Sequence, residues 1–376
     1  MLPFAGIKDN AQYFLTYENL KKRLDKKFTF YRGSQTSTAY SELPFTSAVL
    51  PSGETVDYSI KTTYLEACLS YPINVLNSIR SITNFRNDKV AYKSEDSLSL
   101  NLPNTSDNWV GERVEYVFDN CLQSNITNIR YGTRLKVFSE VLKEFPTKNV
   151  QEGAQFDLPV PVFNNSFMCN VGFDVRNYIK IYKCIIWANR ISGAASFGTA
   201  RMLYYMGGLD NWLTSPSVSK FDYNTPIDNK VNYAFQTLAT PVRGFDQNAR
   251  NGDRFVLINS ELRIPVFSAF IHGNIKSEII RNFAVVGFFD AGTAWEGLSP
   301  FSNNNPLFSQ SIPNSDVNPS VIVNLHQYKS PVIMGFGPGF RTSIFGYFIK
   351  FDVAWGVDTG VISTKPMYYL SIGLDF

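Results

Sequence analysis

The feature that most limits how this chain can fold is alternation. In FVLINSELRIPVF, Val256, Ile258, Leu262 and Ile264 share one parity, while Asn259, Glu261 and Arg263 share the other. A period of two belongs to an extended strand with one apolar and one polar face. The same pattern recurs along the chain. In WVGERVEYVFDN, Val110, Val114, Tyr116 and Phe118 oppose Arg113, Glu115 and Asp119, with Glu112 the one exception. In GTRLKVFSEVL, Leu135, Val137 and Val141 oppose Arg134, Lys136 and Glu140. In YFIKFDVAWGV, Ile349, Phe351, Val353, Trp355 and Val357 oppose Lys350 and Asp352.

The polar faces carry charges of both signs, which suits strands whose two faces meet different solvents. No apolar run, FAVVGFF included, approaches the roughly 18 residues a spanning helix needs. A transmembrane β-barrel places its apolar face against lipid and its polar face in a wet lumen, so half of each strand stays polar. That reconciles 18% charged residues and a mean hydropathy of -0.12 with 15% aromatic residues, among them 31 Phe and 20 Tyr. Trp109, Trp187, Trp295, Trp355 and Tyr368 lie near strand ends, where interfacial aromatic girdles form. A soluble sandwich with an aromatic core is the competing architecture.

The expected fold is therefore all-β: a transmembrane antiparallel barrel of sixteen strands with a lumenal loop, occupying residues 1–376 as one domain. Sixteen strands would leave about 23 residues each, enough for a strand of about ten and its connection. Long turn-forming stretches at 101–107, 210–229 and 298–320 are expected to be loops. NLKKRLDKKF fits a helical stripe or a charged hairpin tip, and the hairpin is preferred.

Other chemistries find little support. The net charge of +3, from 35 basic and 32 acidic residues, is too small and too interspersed to call for nucleic acid. Cys68, Cys121, Cys169 and Cys184 show no C-x-x-C spacing. They read as semi-apolar fillers, with one or two disulfides as the alternative. With only His272 and His326 present, a histidine-dependent triad or histidine-rich metal site is not expected. GFGPGF lacks a following helix pattern, GAASFG is not a nucleophile elbow, and no carboxylate pair stands out. No catalytic residue, metal or cofactor is assigned.

The chain ends in PMYYLSIGLDF, where Tyr368, Leu370, Ile372, Leu374 and Phe376 alternate with Tyr369, Ser371, Gly373 and Asp375. This is a strand that can close a barrel. It resembles the C-terminal recognition signal of bacterial outer-membrane barrels, which implies recognition by the barrel assembly machinery through edge pairing. The opening, MLPFAGIKDNAQYF, has no basic region followed by an apolar one. An export signal is thus expected upstream, with this chain the C-terminal part of a longer protein.

A more specific resemblance lies in TPVRGFDQNARNGDRFVLINSELRIPVF. Val242-Arg243-Gly244-Phe245 and Glu261-Leu262-Arg263-Ile264-Pro265 are similar to the V-R-G-F loop and E-L-R-x-P strand of the bacterial surface antigen (Omp85) superfamily. Phe288, Asp290 and Gly292 in FFDAGTAW match its F-x-D-x-G strand. GFGPGFRTSIFGYFIKFDVAWG, with Arg341 and Asp352, matches its penultimate strands. The motifs span Val242 to Phe376, and the wording is closest to Bacteroidota barrels that follow TolB-like propeller repeats. Neither a propeller nor the family's POTRA modules lie within residues 1–376.

The resemblance implies a bacterial outer-membrane location and a V-R-G-F loop folded into the lumen. Arg243 would pair with Asp290, with Glu261 nearby, Gly244 allowing the turn and Gly292 making room. Phe245, Phe288, Arg263, Arg341 and Asp352 would support this lock from the lumenal face. The implied activity is non-enzymatic insertion or translocation of proteins or lipids through a lateral seam or pore. Its partners would be outer-membrane lipid, the assembly machinery and client proteins. A structural anchor or passive channel for a missing periplasmic domain is the alternative, as is a barrel joined to an enzyme encoded upstream.

Overall fold

A computed structural model describes residues 12–39, 56–92, 105–123, 130–146 and 166–372, except 183, 210–211, 214–220, 223, 229–230, 240, 271–276, 303–304, 306, 314–321, 327–328 and 345–346. In chain order the strands are β1 (Gln12–Asn19), β2 (Asp25–Ala39), β3 (Val56–Pro72), β4 (Asn77–Tyr92), β5 (Thr105–Asp119), β6 (Leu122–Gln123), β7 (Arg130–Pro146), β8 (Phe167–Tyr182), β9 (Ile185–Gly198), β10 (Arg201–Met206) and β11 (Trp212–Leu213). There follow β12 (Tyr233–Ala239), β13 (Arg250–Gly252), β14 (Arg254–Ile264), β15 (Ala284–Trp295), β16 (Ser309–Pro313), β17 (Ile322–His326), β18 (Ile333–Ile344), β19 (Tyr347–Asp358), β20 (Val361–Ile362) and β21 (Met367–Ile372). Two short helices, α1 (Val266–Phe270) and α2 (Glu278–Arg281), link β14 to β15. The all-β antiparallel class expected from the alternation is what the chain adopts. Among the described residues the main sheet counts sixteen strands, and β6, β11 and β20 each contribute two described residues to it.

The chain divides into two compact units, Met1–Tyr116 with Ser139–Cys169, and Val117–Phe138 with Asn170–Phe376. In the first, β1 to β4 form an antiparallel meander. The NLKKRLDKKF segment is a hairpin tip: Asn19 faces Lys26 and the Glu18–Lys27 ion pair straddles it. Alternation places Leu65, Leu69, Ile79 and Phe85 on an exposed face and Asn84, Asp88 and Val90 on a covered one. Glu112, the polar exception, is indeed on the exposed face. It accepts hydrogen bonds from Ser81 Oγ (2.6 Å) and Thr83 Oγ1 (2.5 Å), which lower the cost of a carboxylate among apolar neighbours. Trp109 departs from the girdle expectation: it is 4% exposed, because its parity matches Arg113 and Glu115 on the covered face.

In the second unit the strand order is β8-β9-β14-β15-β18-β19-β21-β11. Here the usual solvent rule is inverted. Val256, Ile258 and Leu262 of β14 are exposed, whereas Asn259, Glu261 and Arg263 are buried. The β9-to-β14 connection, residues 199–253, carries its own sheet, β12-β10-β13, with β10 parallel to β12 and antiparallel to β13. Tyr204, Met206, Ala239, Val242 and Ala249 from this segment pack on Leu257, Ala294 and Ile333 of β14, β15 and β18. The segment therefore lies on the covered face of the wall.

Two stretches expected to be loops contain strands. β16 lies within 298–320 and pairs with β17, and β11 lies within 210–229. Alternation could not expose them, since two to five residues are too few to show a period. GFGPGF belongs to β18 and GAASFG to β9. The four cysteines are half-buried free thiols.

Candidate functional site

The site begins with sheet register. Asn259 of β14 faces Asp290 of β15, Asp290 faces Gly335 of β18, and Gly335 faces Gly356 of β19. A parallel row holds Arg263, Val286, Gly339, Asp352 and Tyr369. Between them, Glu261 faces Phe288 and Phe288 faces Gly337. Each row thus mixes charged side chains with glycines, leaving a charged bed beside a bare backbone trough.

The V-R-G-F turn lies in that trough. A Cβ on Gly335 would sit 1.7 Å from the carbonyl oxygen of Arg243, and one on Gly356 would sit 2.4 Å from that of Gly244. Gly244 itself has φ +96°, a left-handed conformation that a side chain would strain. The turn aims Arg243 into the bed, where it is 1% exposed. Its Nε and Nη2 donate to Asp290 Oδ2 and Oδ1 at 2.6 and 2.8 Å, the bidentate fork that arginine geometry favours. Its backbone N–H reaches Asp290 Oδ2 at 3.1 Å, and Asn259 Nδ2 donates to Oδ1 at 2.8 Å. Arg243 Nη1 donates to Glu261 Oε1 at 2.7 Å and Asp352 Oδ2 at 3.3 Å. The guanidinium also stacks 3.6 Å above the Phe288 ring, a cation–π contact.

Two further arginines complete the charge balance. Arg263 Nε donates to Glu261 Oε2 at 2.9 Å, and Arg341 bridges Asp352 Oδ1 at 2.6 Å and Glu261 Oε1 at 3.3 Å. Three arginines thus face three carboxylates, every one at most 8% exposed by its side chain. Burying such charges costs several kcal/mol per ion unless each is paired and hydrogen-bonded. Here they are.

The structure brings together Arg243, Gly244, Asp290, Glu261, Phe288, Arg263, Arg341 and Asp352. Phe245 lies beside them, its ring 2.9 Å from where a Gly356 Cβ would be. Gly292 lies one step along β15, where its missing side chain makes room for Met206 Sδ rather than for Arg243. Tyr368, Leu370 and Ile372 are on the exposed face of β21. Leu374 and Phe376 lie outside the described residues. Sequence reasoning did not single out Asn259, Gly335, Gly356 or Tyr369. Asn259 shares parity with Glu261 and was legible on that ground. Tyr369 was legible as a large hydroxyl sharing the parity of Ser371.

Chemically the site is a clasp. Each of its carboxylates is engaged by arginine. Among the described residues no group of three His, Cys, Asp or Glu side chains is placed to hold a metal ion. A second anchor holds the same segment: Arg250, 2% exposed, donates to the Ser330 carbonyl at 2.7 Å and to Asp358 Oδ1 at 2.5 Å.

No family model matches the chain, and no curated protein sequence matches it. Solved structures with a similar fold include BamA from Haemophilus ducreyi lacking POTRA domains 1–3, at TM-score 0.49 and 11% identity over 97% of this chain and 70% of that one. CdiB from Escherichia coli is similar at TM-score 0.48 and 11% identity, over 97% of this chain and 53% of that one.

Proposed function

We propose that residues 1–376 form an outer-membrane β-barrel domain of the bacterial surface antigen (Omp85) type, which inserts or translocates proteins or lipids without enzymatic chemistry. Within that superfamily we place it beside Bacteroidota barrels that follow TolB-like repeats. The observation that carries the reading is the Arg243 clasp: a loop arginine, buried against Asp290, Glu261 and Asp352 on the wall, at the positions of the V-R-G-F and F-x-D-x-G motifs. The inverted faces support it. Exposed Val256, Ile258 and Leu262 opposite buried Glu261 and Arg263 suit a wall between lipid and lumen.

In this reading the loop holds the pore shut and braces the wall. A seam at the terminal strand opens so that a client strand pairs with the exposed edge. Outer-membrane lipid surrounds the exposed face, and the assembly machinery recognises the terminal strand. Depletion of the full-length protein followed by quantitative outer-membrane proteomics tests the proposal. Loss of several or a few surface proteins is expected. An unchanged outer membrane would overturn it and leave an anchor or passive channel.

A further inference from the structure

One patch of the exposed face breaks the apolar pattern. Arg32 of β2, Lys61 of β3 and Lys89 of β4 lie on the face of Leu65, Leu69 and Phe85, and all three are exposed. Sheet register gathers them. Arg32 faces Thr63 and Thr63 faces Asn87; in the next row Ser34 faces Lys61 and Lys61 faces Lys89. The two lysines are direct cross-strand neighbours, with Cβ atoms about 5 Å apart, and Arg32 stands diagonally beside them. Like charges placed directly opposite each other destabilise a sheet.

No carboxylate answers them: among the described residues none of the three makes an ion pair. On β2 to β5 the acidic residues of that parity are Asp57, four positions from Lys61, and Glu112. The Glu112 oxygens are already taken by Ser81 and Thr83. Neutral groups fill the rest of the patch, where Asn87 Nδ2 donates to Ser106 Oγ at 3.0 Å and Asn108 Oδ1 at 2.6 Å. Two residues further along the strands the face turns apolar. Phe30 faces Leu65 and Leu65 faces Phe85, the last two 45% and 36% exposed. An amphipathic ligand with an anionic head and hydrocarbon chains fits that order. The patch lies at the ends of β2, β3 and β4 that lead into residues 40–55 and 93–104, whereas 20–24 and 73–76 join the opposite ends. In outer-membrane barrels the longer connections are extracellular, the side whose leaflet is built of phosphorylated glycolipid.

We propose that Arg32, Lys61 and Lys89 bind the phosphates of a bisphosphorylated, multiply acylated glycolipid, the chemistry of lipid A, whose acyl chains lie along Phe30, Leu65 and Phe85. Three cations spread over two rows serve two phosphates, where a glycerophospholipid brings one. Arg32 offers a planar fork and each lysine a point charge, and both suit phosphate oxygens. Bound phosphate also relieves the repulsion between Lys61 and Lys89. That this face meets lipid rests on the function proposed above.

Native mass spectrometry of the full chain in detergent, titrated with diphosphoryl lipid A or with phosphatidylglycerol, tests the site. The unaltered chain is expected to retain lipid A about tenfold better than the one-phosphate lipid. Lys61→Gln and Lys89→Gln together should weaken lipid A retention about thirtyfold, a factor of about five for each lysine. Lys26→Gln, on the same face of β2 at its other end, should leave retention unchanged. Equal retention of the two lipids would overturn the glycolipid assignment, and indifference to the double change would overturn the site. Melting of the same variants without lipid is a second check. Removing opposed charges should not lower the melting temperature; a fall would show the lysines to be partnered within the protein and would overturn the proposal. Each of these failures would leave the depletion result, and the function it tests, standing.

Discussion

The strands of the two units obey one alternation rule, yet their charged faces are in different states. In the first unit, Arg86 pairs with Asp88 at 2.6 Å and Arg113 with Glu115 at 2.7 Å, with the arginines 39% and 25% exposed. In the second, Arg243 meets Asp290 at the same 2.6 Å with both side chains at most 1% exposed. The distances barely differ; the solvent access of the arginines does. The difference is the 199–253 segment, whose apolar residues seat on Leu257, Ala294 and Ile333 and exclude water from the charges beneath. Coulombic attraction rises as the local dielectric falls, and so does the penalty for leaving one charge alone. The same residue types are therefore half-open pairs in one place, an exposed arginine over a covered carboxylate, and a fully buried clasp in another.

That contrast can be broken most sharply at its strongest point. Arg243→Ala leaves Asp290, Glu261 and Asp352 short of their shared cation and should cost about 3–5 kcal/mol. Arg86→Ala removes a half-exposed partner and should cost no more than about 1 kcal/mol. Urea unfolding of the two variants in lipid vesicles should show this ordering in their midpoints; equal shifts would mean the seated segment does not dry the site. A charge swap of Arg243 with Asp290 is a poor substitute. It would place a carboxylate against Glu261 and Asp352, so full rescue is not expected.

The opposite face offers a second contrast. Ile258, mid-strand on β14, is 44% exposed one residue from buried Asn259. Ile258→Arg should cost about 2–4 kcal/mol if that face meets lipid at mid-depth. A water-facing position would tolerate the change within about 0.5 kcal/mol. The same vesicle titration distinguishes the two.

The smallest expected effect lies where the segment rejoins the wall. Glu296, just beyond β15, has its carboxyl pushed up to about 7 by burial and by the neighbouring Asp228 carboxylate. The folded state thus holds a proton that the unfolded chain has released above its ordinary value of 4.5. The resulting stabilisation is fully present below that value and is lost as pH rises through about 7. Glu296→Gln, which mimics the protonated form, should flatten the pH dependence of protection in residues 231–233 between pH 5 and 8. An unchanged profile would remove Glu296 as its source.

Much of this was legible in the residues because strand parity is a local property. Once Val256, Ile258 and Leu262 share a face, Asn259, Glu261 and Arg263 must share the other. Phe288, Asp290 and Gly292 follow the same rule on β15. Trp109 shows the limit of reading aromatics by type: its parity placed it on the covered face, against its apparent suitability for an interface. Position near a strand end says less than position in the alternation.

The sequence by itself determined the all-β class, the two faces of each strand and the set of charged residues available to the covered face. Only the tertiary structure decided which of them meet. All six charged groups of the clasp were expected from the resemblance, Arg243 with Asp290, Glu261 nearby and Arg263, Arg341 and Asp352 in support; their atomic pairing comes from cross-strand register, which brings Glu261 and Asp352 within reach of one guanidinium. Alternation restricts register to shifts that keep the buried face buried, and the choice among those is made by turn and connection geometry between strands distant in the chain, which parity alone does not give. The glycine trough of Gly335 and Gly356, and the hydrogen bonds of the Tyr369 hydroxyl with the Gly244 N–H and the Phe245 carbonyl, are likewise products of that register. A backbone can approach another backbone only where neighbouring strands align their missing side chains.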